Sequence, residues 1–276
     1  MKQGYVLIGV DREGRDYQRI SYALALSLKI TQKNDPSISI ITNKPLPKEW
    51  GHVFDHQINV GDDFSKVAFR SDIYDLTPYD TSIHIESDSI VLNDISSWWD
   101  TFGCQNKYLQ FASKIVNIDG SLVNTEKHPR HRASFKMNCL PHDLRTSIFW
   151  FKKNKKTETF FDMTRDVSER LGYYLEKHMP HYQEFVSFDL VATLASVELG
   201  VSEEIIDKRG VISFCHGKDY VLGFDWKPDS LLTHDCEMYV SGWKQSNSFH
   251  YQTKEWMTDQ HLTILENKYR RTYETI

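Results

Sequence analysis

The segment "TPYDTSIHIESDSIVLNDISSWW", from Thr77 to Trp99, combines an apolar strand pattern with acidic residues. Its centre has the apolar pattern of a buried strand, yet Glu86 and Asp88 interrupt it with only Ser87 between them. If the strand continues from Ser82 to Leu92, its alternation puts both carboxylates on one face. Burying an unpaired carboxylate costs several kcal/mol, so this pair of acids needs a positively charged partner.

A divalent cation would satisfy both acids. Carboxylate oxygens are hard donors that suit Mg²⁺ or Mn²⁺, and the ion removes the repulsion between the two negative charges. In open α/β sheets ligands bind beyond the carboxyl ends of the strands, so a strand that ends in acids is well placed to hold a metal and a phosphate. The alternative is that the strand stops before Glu86, which leaves both acids solvated in a loop.

The composition of the chain bounds its class. It has 276 residues, of which 40% are hydrophobic and 26% charged, as in ordinary soluble globular proteins. Its longest apolar run, Tyr22 to Leu28, is far shorter than the roughly 20 residues of a membrane helix, so we expect no membrane span. The first residues lead into a strand pattern rather than a cleavable leader, and we expect a cytoplasmic protein. The net charge of −5 gives no overall attraction to nucleic acid.

The cysteines exclude two further classes. Four of them are scattered along the chain without a CxxC pair: Cys104, Cys139, Cys215 and Cys236. This spacing argues against a structural zinc site and against a disulfide framework, and it fits a reducing compartment.

Strand and helix patterns alternate over the first hundred residues. Apolar β-branched runs predict strands, and apolar positions at helical spacing predict helices. The order strand, helix, strand predicts parallel pairing with right-handed crossovers. The predicted strands are Gly4–Asp11, Ser37–Asn43, His52–Val60 and the opening stretch, and the predicted helices are Tyr17–Lys33 and Lys66–Leu76.

The second part of the chain is less regular. We expect a long irregular segment from Gln105 to Arg145, then a strand in "RTSIFWFKK". Because Gly200 suits the position after a helix end, it is expected to close the helix before it. No linker or repeat divides the chain, so one domain over residues 1–276 is predicted. The remaining predicted elements are helices Lys156–Met179, Ser187–Gly200 and Thr258–Thr272 and a strand at Val211–Gly217.

The segment "YDTSIHIESDSIVLNDI" resembles metal-dependent glycosyltransferases with the GT-A fold, particularly the glycogenin-like retaining family. The resemblance implies an α/β, Rossmann-like, mostly parallel sheet flanked by helices, with a nucleotide-binding half over 1–100 and an acceptor half over 101–276. It implies that the acid-x-acid motif holds a divalent metal on the diphosphate of a nucleotide sugar. Asp88 matches this motif, whereas Glu86 stands where the family usually has Asp.

A second signature lies in "FHYQTKEW", from Phe249 to Trp256. It resembles the family's C-terminal element of a His, an aromatic residue, a small residue, a Lys and a Trp. The resemblance implies that His250 is the third metal ligand and that Lys254 contacts the leaving diphosphate. Thr253 stands where the family often has Gly. His216, in "FCHGKDY", is the alternative third ligand.

The resemblance also implies donor contacts near the start of the chain. Asp11 is expected to bind the base or ribose, and Tyr17 is expected to stack on the nucleotide. Arg70 lies where the family has a basic residue near the phosphates. A solvated turn and a surface arginine are the alternatives for these positions.

Two more positions carry over by pattern. Thr146 and Ser147, at the start of "RTSIFWFKK", match residues that contact the donor sugar. Asp189 matches a residue near the reacting anomeric carbon, so it is a candidate catalytic residue together with Asp88. An acid in the first turn of a helix is also a common capping residue, which is the alternative for Asp189.

The predicted activity is transfer of a hexosyl or pentosyl group from a nucleotide diphosphate sugar, with UDP-sugar expected as donor, to an acceptor hydroxyl. Mn²⁺ or Mg²⁺ is the expected cofactor, and the resemblance implies retention at the anomeric carbon. Two alternatives stay open. One is a GT-A-like protein that binds a nucleotide sugar without catalysis, and the other is a metal-dependent nucleotidyltransferase or phosphohydrolase.

The basic run "KHPRHRASFK" bears on the acceptor. Arg130, Arg132 and Lys136 would suit a phosphate-bearing acceptor such as DNA. In its general sequence character the chain also resembles glycosyltransferases of tailed phages, some of which modify hydroxymethylated cytosines. A phage-encoded enzyme of this kind would be located in the host cytoplasm. A glycan, a lipopolysaccharide core and a protein side chain are alternative acceptors, and a plain solvated loop is the alternative for the basic run.

Overall fold

The computed structural model describes residues 2–12, 14–61, 67–123, 144–182, 186–218 and 222–273. Six strands in this part of the chain form the central sheet. They are β1 (Gln3–Ile8), β2 (Ile38–Thr42), β3 (His56–Asn59), β4 (Thr81–Ile85), β6 (Leu109–Ala112) and β8 (Arg145–Lys152).

The order of the strands in this sheet is β3-β2-β1-β4-β8-β6. Pairing is parallel from β3 to β4 and antiparallel between β4, β8 and β6. The chain leaves β1 toward β2 on one side and returns to β4 on the other side of β1. The carboxyl ends of β1 and β4 therefore form a topological switch point, where α/β sheets bind ligands.

Two smaller sheets complete the strands of the described residues. Their strands are β5 (Ser89–Ile90), β7 (Lys114–Val116), β9 (Ser213–His216), β10 (Ser230–Leu232), β11 (Met238–Val240), β12 (Trp243–Lys244) and β13 (Ser248–His250). The second sheet has the order β5-β13-β9-β7, and the third has the order β10-β11-β12.

Helices cover the central sheet. The α-helices are α1 (Tyr17–Thr31), α2 (Ile73–Leu76), α3 (Ser97–Cys104), α4 (Lys155–Glu169), α5 (Leu171–His178), α6 (Phe188–Glu198), α7 (Ser202–Ile205) and α8 (Asp259–Tyr273). Short 3-10 helices span Lys48–Val53, Val67–Asp72 and Lys254–Trp256. Among the helices of the described ranges, none combines the length and the apolar character needed to cross a membrane.

The central sheet is buried on both faces. Tyr5 and Leu7 of β1 point to one core, which also contains apolar residues of α1, α3 and α8. Val6 and Ile8 point to the other core, which is built with α4, α5 and α6. Burial on both faces explains why β1 is continuously apolar from Tyr5 to Ile8 rather than alternating.

Local capping fixes the helix ends near the sheet. The side chain of Asp16 accepts a hydrogen bond from Arg19 N at the start of α1, and that of Asn154 accepts one from Thr157 N at the start of α4. Gly200 follows α6 with a φ of +66°, the left-handed conformation that favours glycine.

Most of the predicted elements are confirmed. β1, α1, β2, β8, α6 and α8 lie within two or three residues of their predicted bounds, and the first four strands pair in parallel as expected. The predicted strand at Val211–Gly217 corresponds to β9. The fold is the predicted α/β arrangement, a mostly parallel central sheet flanked by helices.

Five predictions of local structure were wrong. The strand predicted to continue from Ser82 to Leu92 ends at Ile85. Ser89 and Ile90, which follow it, pair with β13 in the second sheet instead. The segment from Gln105 to Arg145 contains β6 and β7, which are too short to give a clear periodic pattern. The predicted helix Lys156–Met179 is interrupted at Arg170, which separates α4 from α5.

The fourth and fifth errors concern the segments on either side of β3. The predicted strand His52–Val60 is shorter, because residues 48–53 form a 3-10 helix before it. The predicted helix Lys66–Leu76 is a 3-10 helix that continues into the single turn of α2, as far as the described residues show. Short helices of both kinds lack the length over which periodicity can be read.

Acid pH is expected to destabilise the protein through His84 on β4. Burial, followed by the charge of Arg70, lowers the pKa of His84 to about 4 from an ordinary value of 6.5. The unfolded chain therefore binds a proton first as the pH falls, and stability is lost between pH 6.5 and pH 4. The resulting loss of free energy of unfolding is about 2 kcal/mol at pH 5.

Urea unfolding at pH 7 and at pH 5 measures how much free energy of unfolding is lost on acidification. This loss should be about 2 kcal/mol smaller in the variant His84→Leu than in the wild type. The exposed His181 provides the control: His181→Gln should keep the wild-type difference. An His84→Leu variant with the wild-type dependence on pH would show that His84 does not stay neutral in the folded protein.

Candidate active site

The acidic turn Glu86–Ser87–Asp88 joins β4 to β5 and is fixed at each residue. Glu86 N donates to Ser147 O at 2.8 Å on the neighbouring β8. The buried Ser87 Oγ donates to Ile8 O at 2.6 Å, at the end of β1. Asp88 O accepts from Tyr251 N at 2.9 Å. The turn therefore links both strands next to β4 to the C-terminal segment of the chain.

Pairing between β5 and β13 brings His250 to this turn. His250 lies opposite Ser89 in the antiparallel register, one residue from Asp88. Its Nε2 atom is 3.1 Å from Glu86 Oε2 and 3.2 Å from Asp88 Oδ1. The His250 side chain is 2% exposed and the two acids are 14% and 10% exposed, so the cluster is almost closed to solvent.

Glu86, Asp88 and His250 can hold a divalent metal. One ligand atom from each lies within 4.8 Å of the other two. Two donors at right angles around Mg²⁺, each about 2.1 Å from it, are separated by about 3 Å. The spacings from His250 Nε2 to the two carboxylates match this value, and the mixture of carboxylate oxygen and imidazole nitrogen suits Mn²⁺ or Mg²⁺.

Two fixed cations compensate the acids in this cluster. Arg70 forms an ion pair with Glu86, and Lys254 Nζ is 2.5 Å from Asp88 Oδ2. Burial by itself raises the pKa of both carboxyl groups. The attraction of Arg70 and then His250 outweighs burial at Glu86, and His250 with Lys254 outweighs it at Asp88, so both pKa values lie below the ordinary ones. Both acids are therefore ionised and ready to bind a cation.

Lys254 is held by a tight turn after β13. Its Nζ also donates to Gln252 O at 2.7 Å, and Thr253 N donates to Tyr251 O at 2.5 Å. Gln252 has a φ of +54°, a conformation that residues other than glycine rarely adopt. Such backbone strain is maintained only where the surroundings fix it, and it is common at functional sites.

The predicted alternative ligand, His216, is adjacent to the cluster but outside its donor set. It ends β9, which runs parallel to β13, and it is the register partner of His250. The two imidazole rings are stacked with centroids 4.9 Å apart.

The predicted donor residues near the N-terminus follow the carboxyl end of β1. Asp11 Oδ1 accepts from Gln18 N at 3.1 Å, and Asp11 Oδ2 is 3.4 Å from Lys44 Nζ. Tyr17 begins α1 and is partly exposed, with the Arg12 guanidinium 5.4 Å from its ring centroid. Both residues thus lie at the switch point, on the side of β1.

Thr146 and Ser147, which are predicted to contact the donor sugar, lie at the start of β8 on the other side of the acidic turn. Thr146 N and Thr146 Oγ1 both donate to Asp189 Oδ1, at 2.9 and 2.5 Å. Asp189 lies in the first turn of α6, but the capping side chain of this helix is Ser187. The negative charge of Asp189 acts to raise the pKa of both Arg70 and Glu86, so Asp189 lies within electrostatic range of the acidic turn. Ser147 is buried and contacts Glu86 through its backbone.

The predicted acceptor residues Arg130, Arg132 and Lys136 lie in 124–143, outside the described residues.

Three features of the site were not predicted from the sequence. They are the anchoring of Ser87 by Ser21 Oγ at 2.7 Å, the ion pair of Arg70 with Glu86, and the stacking of His216 on His250. A serine between two acids was a usable signal, because a small hydroxyl residue can bond to a strand end within a tight turn. The other two contacts depend on tertiary pairing.

No protein-family model and no curated protein sequence matches this chain. Several solved glycosyltransferase structures do. The galactosyltransferase LgtC, in complex with donor and acceptor sugar analogs, superposes with a TM-score of 0.57 at 10% identity, over 96% of this chain and 95% of LgtC. GlyE of Streptococcus pneumoniae gives 0.52 at 14% identity, over 99% of this chain and 64% of GlyE.

The bifunctional glycosyltransferase WbbM gives a TM-score of 0.56 at 14% identity, over 96% of this chain and 51% of WbbM. The chain thus spans nearly all of LgtC but about two thirds of GlyE and half of WbbM. At these identities the likeness establishes the fold, and the predicted GT-A fold is confirmed.

Lys254 should compete with a divalent metal in the absence of nucleotide. The variant Lys254→Met removes a positive charge next to Asp88, so Mn²⁺ alone should bind roughly fivefold more tightly, since a nearby unit charge contributes about 1 kcal/mol or more. Free Mn²⁺ can be followed by EPR during titration.

The control for this titration is Lys177→Met on α5, where the lysine pairs with Glu198 away from the site. Its affinity for Mn²⁺ should equal that of the wild type. Weaker binding by Lys254→Met would show that the lysine supports the metal site rather than occupying it.

Proposed function

We propose that this protein is a metal-dependent glycosyltransferase that moves a sugar from a nucleotide diphosphate sugar to an acceptor hydroxyl. The observation that carries the proposal is the cluster of Glu86, Asp88 and His250 with Lys254 beside it, at the carboxyl end of β4. This position is the ligand-binding edge of a fold shared with LgtC, GlyE and WbbM.

In the proposed reaction Glu86, Asp88 and His250 hold Mn²⁺ or Mg²⁺. When bound, the metal stabilises the negative charge that develops on the leaving diphosphate. Lys254 gives up its ion pair with Asp88, contacts the diphosphate instead and adds a second positive charge there. Arg70 keeps Glu86 ionised and oriented through their ion pair.

The donor is proposed to lie along the switch point. Asp11 and Tyr17 bind the base and ribose of the nucleotide, with UDP-sugar as the proposed donor. On the opposite side, Thr146 and Ser147 face the donor sugar, and Asp189 acts near the anomeric carbon. The hydrogen bonds from Thr146 to Asp189 support this role, because they hold one carboxylate oxygen in a fixed position. We propose retention of the anomeric configuration, on the resemblance of the acid-x-acid segment to retaining enzymes.

Two candidate acceptors are proposed, each from one observation. LgtC forms a complex with an acceptor sugar analog, which favours a sugar hydroxyl as the acceptor group. The basic run with Arg130, Arg132 and Lys136 favours a phosphate-bearing acceptor, such as hydroxymethylated DNA of a phage. The acceptor half of the protein, 101–276, contains this run.

The proposal predicts that Asp88→Asn abolishes metal-dependent turnover. Loss of one metal ligand should lower Mn²⁺-dependent transfer, or hydrolysis of the donor, by about 100-fold or more. A panel of nucleotide sugars, measured with and without Mn²⁺ by thermal shift and by release of nucleoside diphosphate, identifies donor and metal together. Asp100→Asn, on the exposed face of α3, is the matched control.

Full Mn²⁺-dependent turnover by Asp88→Asn would contradict the assignment. If the wild type binds a nucleotide sugar but neither transfers nor hydrolyses it, the protein is a non-catalytic binding protein. Release of sugar 1-phosphate instead of nucleoside diphosphate would indicate transfer of the nucleotidyl group, as in a nucleotidyltransferase.

The DNA hypothesis predicts salt-dependent binding of duplex DNA that disappears in the double variant Arg130→Ala/Arg132→Ala. Each interaction with a phosphate that the substitutions remove should reduce the slope of log affinity against log salt by about 0.9. The double variant Lys155→Ala/Lys156→Ala removes two exposed lysines of α4 and serves as the control for total charge. Wild-type protein that does not bind DNA at low salt would contradict the DNA hypothesis.

A further inference from the structure

The two histidines at the ends of β9 and β13 form a buried, stacked pair. His216 and His250 are register partners in parallel strands, and their rings lie 4.9 Å apart with an angle of 21° between their planes. They are 3% and 2% exposed, so neither ring contacts bulk water. The Phe214 ring, on the same strand as His216, is 6.1 Å from that of His250.

The ring of His250 lacks the usual means of orientation. A metal-ligating histidine normally donates its second ring N–H to a carboxylate, carbonyl or water, and this bond fixes both the tautomer and the direction of the ring. Within the described residues, His250 Nδ1 is buried and has no hydrogen-bond partner. No hydrogen bond from the described residues on that side therefore sets the direction in which Nε2 points.

The strands are built to bring the two rings together. Gly217 N donates to His250 O at 2.8 Å, directly after the stacked pair. A side chain at Gly217 would meet the Phe249 ring at 2.9 Å and His250 O at 3.2 Å, so only glycine permits this approach. The close contact of β9 with β13 holds the His216 ring against the face of His250.

We infer that His216 is a positioning residue for the metal centre: its stacked ring fixes the ring plane of His250 and so directs Nε2 at Glu86 and Asp88. Stacking takes the place of the missing hydrogen bond at Nδ1. The inference rests on the proposed function, because it requires His250 to be a metal ligand. It assigns no metal contact to His216, which lies outside the donor set.

The test is the affinity of the full chain for Mn²⁺ alone, measured by EPR of free Mn²⁺. His216→Ala should weaken binding about tenfold, the size of effect seen when an orienting partner of a metal ligand is removed. His216→Phe restores a flat ring without nitrogen atoms, and its affinity should return to within about threefold of the wild type. His216→Leu fills the space without a ring, should bind as weakly as His216→Ala, and replaces it if the alanine variant does not fold.

The control is Cys215→Ala, one residue away on β9, which should bind Mn²⁺ as the wild type does. Wild-type affinity in both His216→Ala and His216→Leu would overturn the inference and leave the metal site intact. A His216→Phe variant as weak as His216→Ala would also overturn it, because the nitrogen atoms rather than the stack would then matter. A wild-type protein that binds no Mn²⁺ would overturn the proposed function itself.

Discussion

The pairing of β5 with β13 is the constraint on which the site depends. The chain crosses from the central sheet to the second sheet within the three residues Glu86–Ser87–Asp88, and β13 then pairs with the two residues that follow. This arrangement places His250 Nε2 about equally far from both carboxylates, although more than 160 residues separate them in sequence. Without that pairing the acids would form an isolated turn at the end of β4.

The residues that balance the buried charge are the same residues that form the proposed site. Two carboxylates this close to the core are tolerated because Arg70, Lys254 and His250 surround them. Removing one partner of such a cluster leaves an uncompensated charge, which is strongly destabilising. In the proposed reaction a divalent ion takes over this compensation, and Lys254 becomes available for the diphosphate.

Much of the fold could be predicted from periodicity, and the site only in part. β1, α1 and α6 are long and strongly patterned, so their positions follow from the sequence. The acids were expected on one strand or exposed in a loop, and neither is correct. The strand ends at Ile85, yet the acids stay largely buried, because a change of sheet leaves no trace in local alternation. The stack of His216 on His250 depends on the register of two strands more than thirty residues apart.

The most direct test of the account is whether one histidine nitrogen binds the metal together with the acids. Pulsed EPR of Mn²⁺ bound to the full chain detects nitrogen in the first coordination shell through its modulation of the electron spin echo. The account predicts modulation from a single imidazole in the wild type, absent in His250→Gln and retained in His84→Leu. Bound Mn²⁺ with no nitrogen modulation, or with modulation that survives in His250→Gln, would contradict a metal site shared by Asp88 and His250.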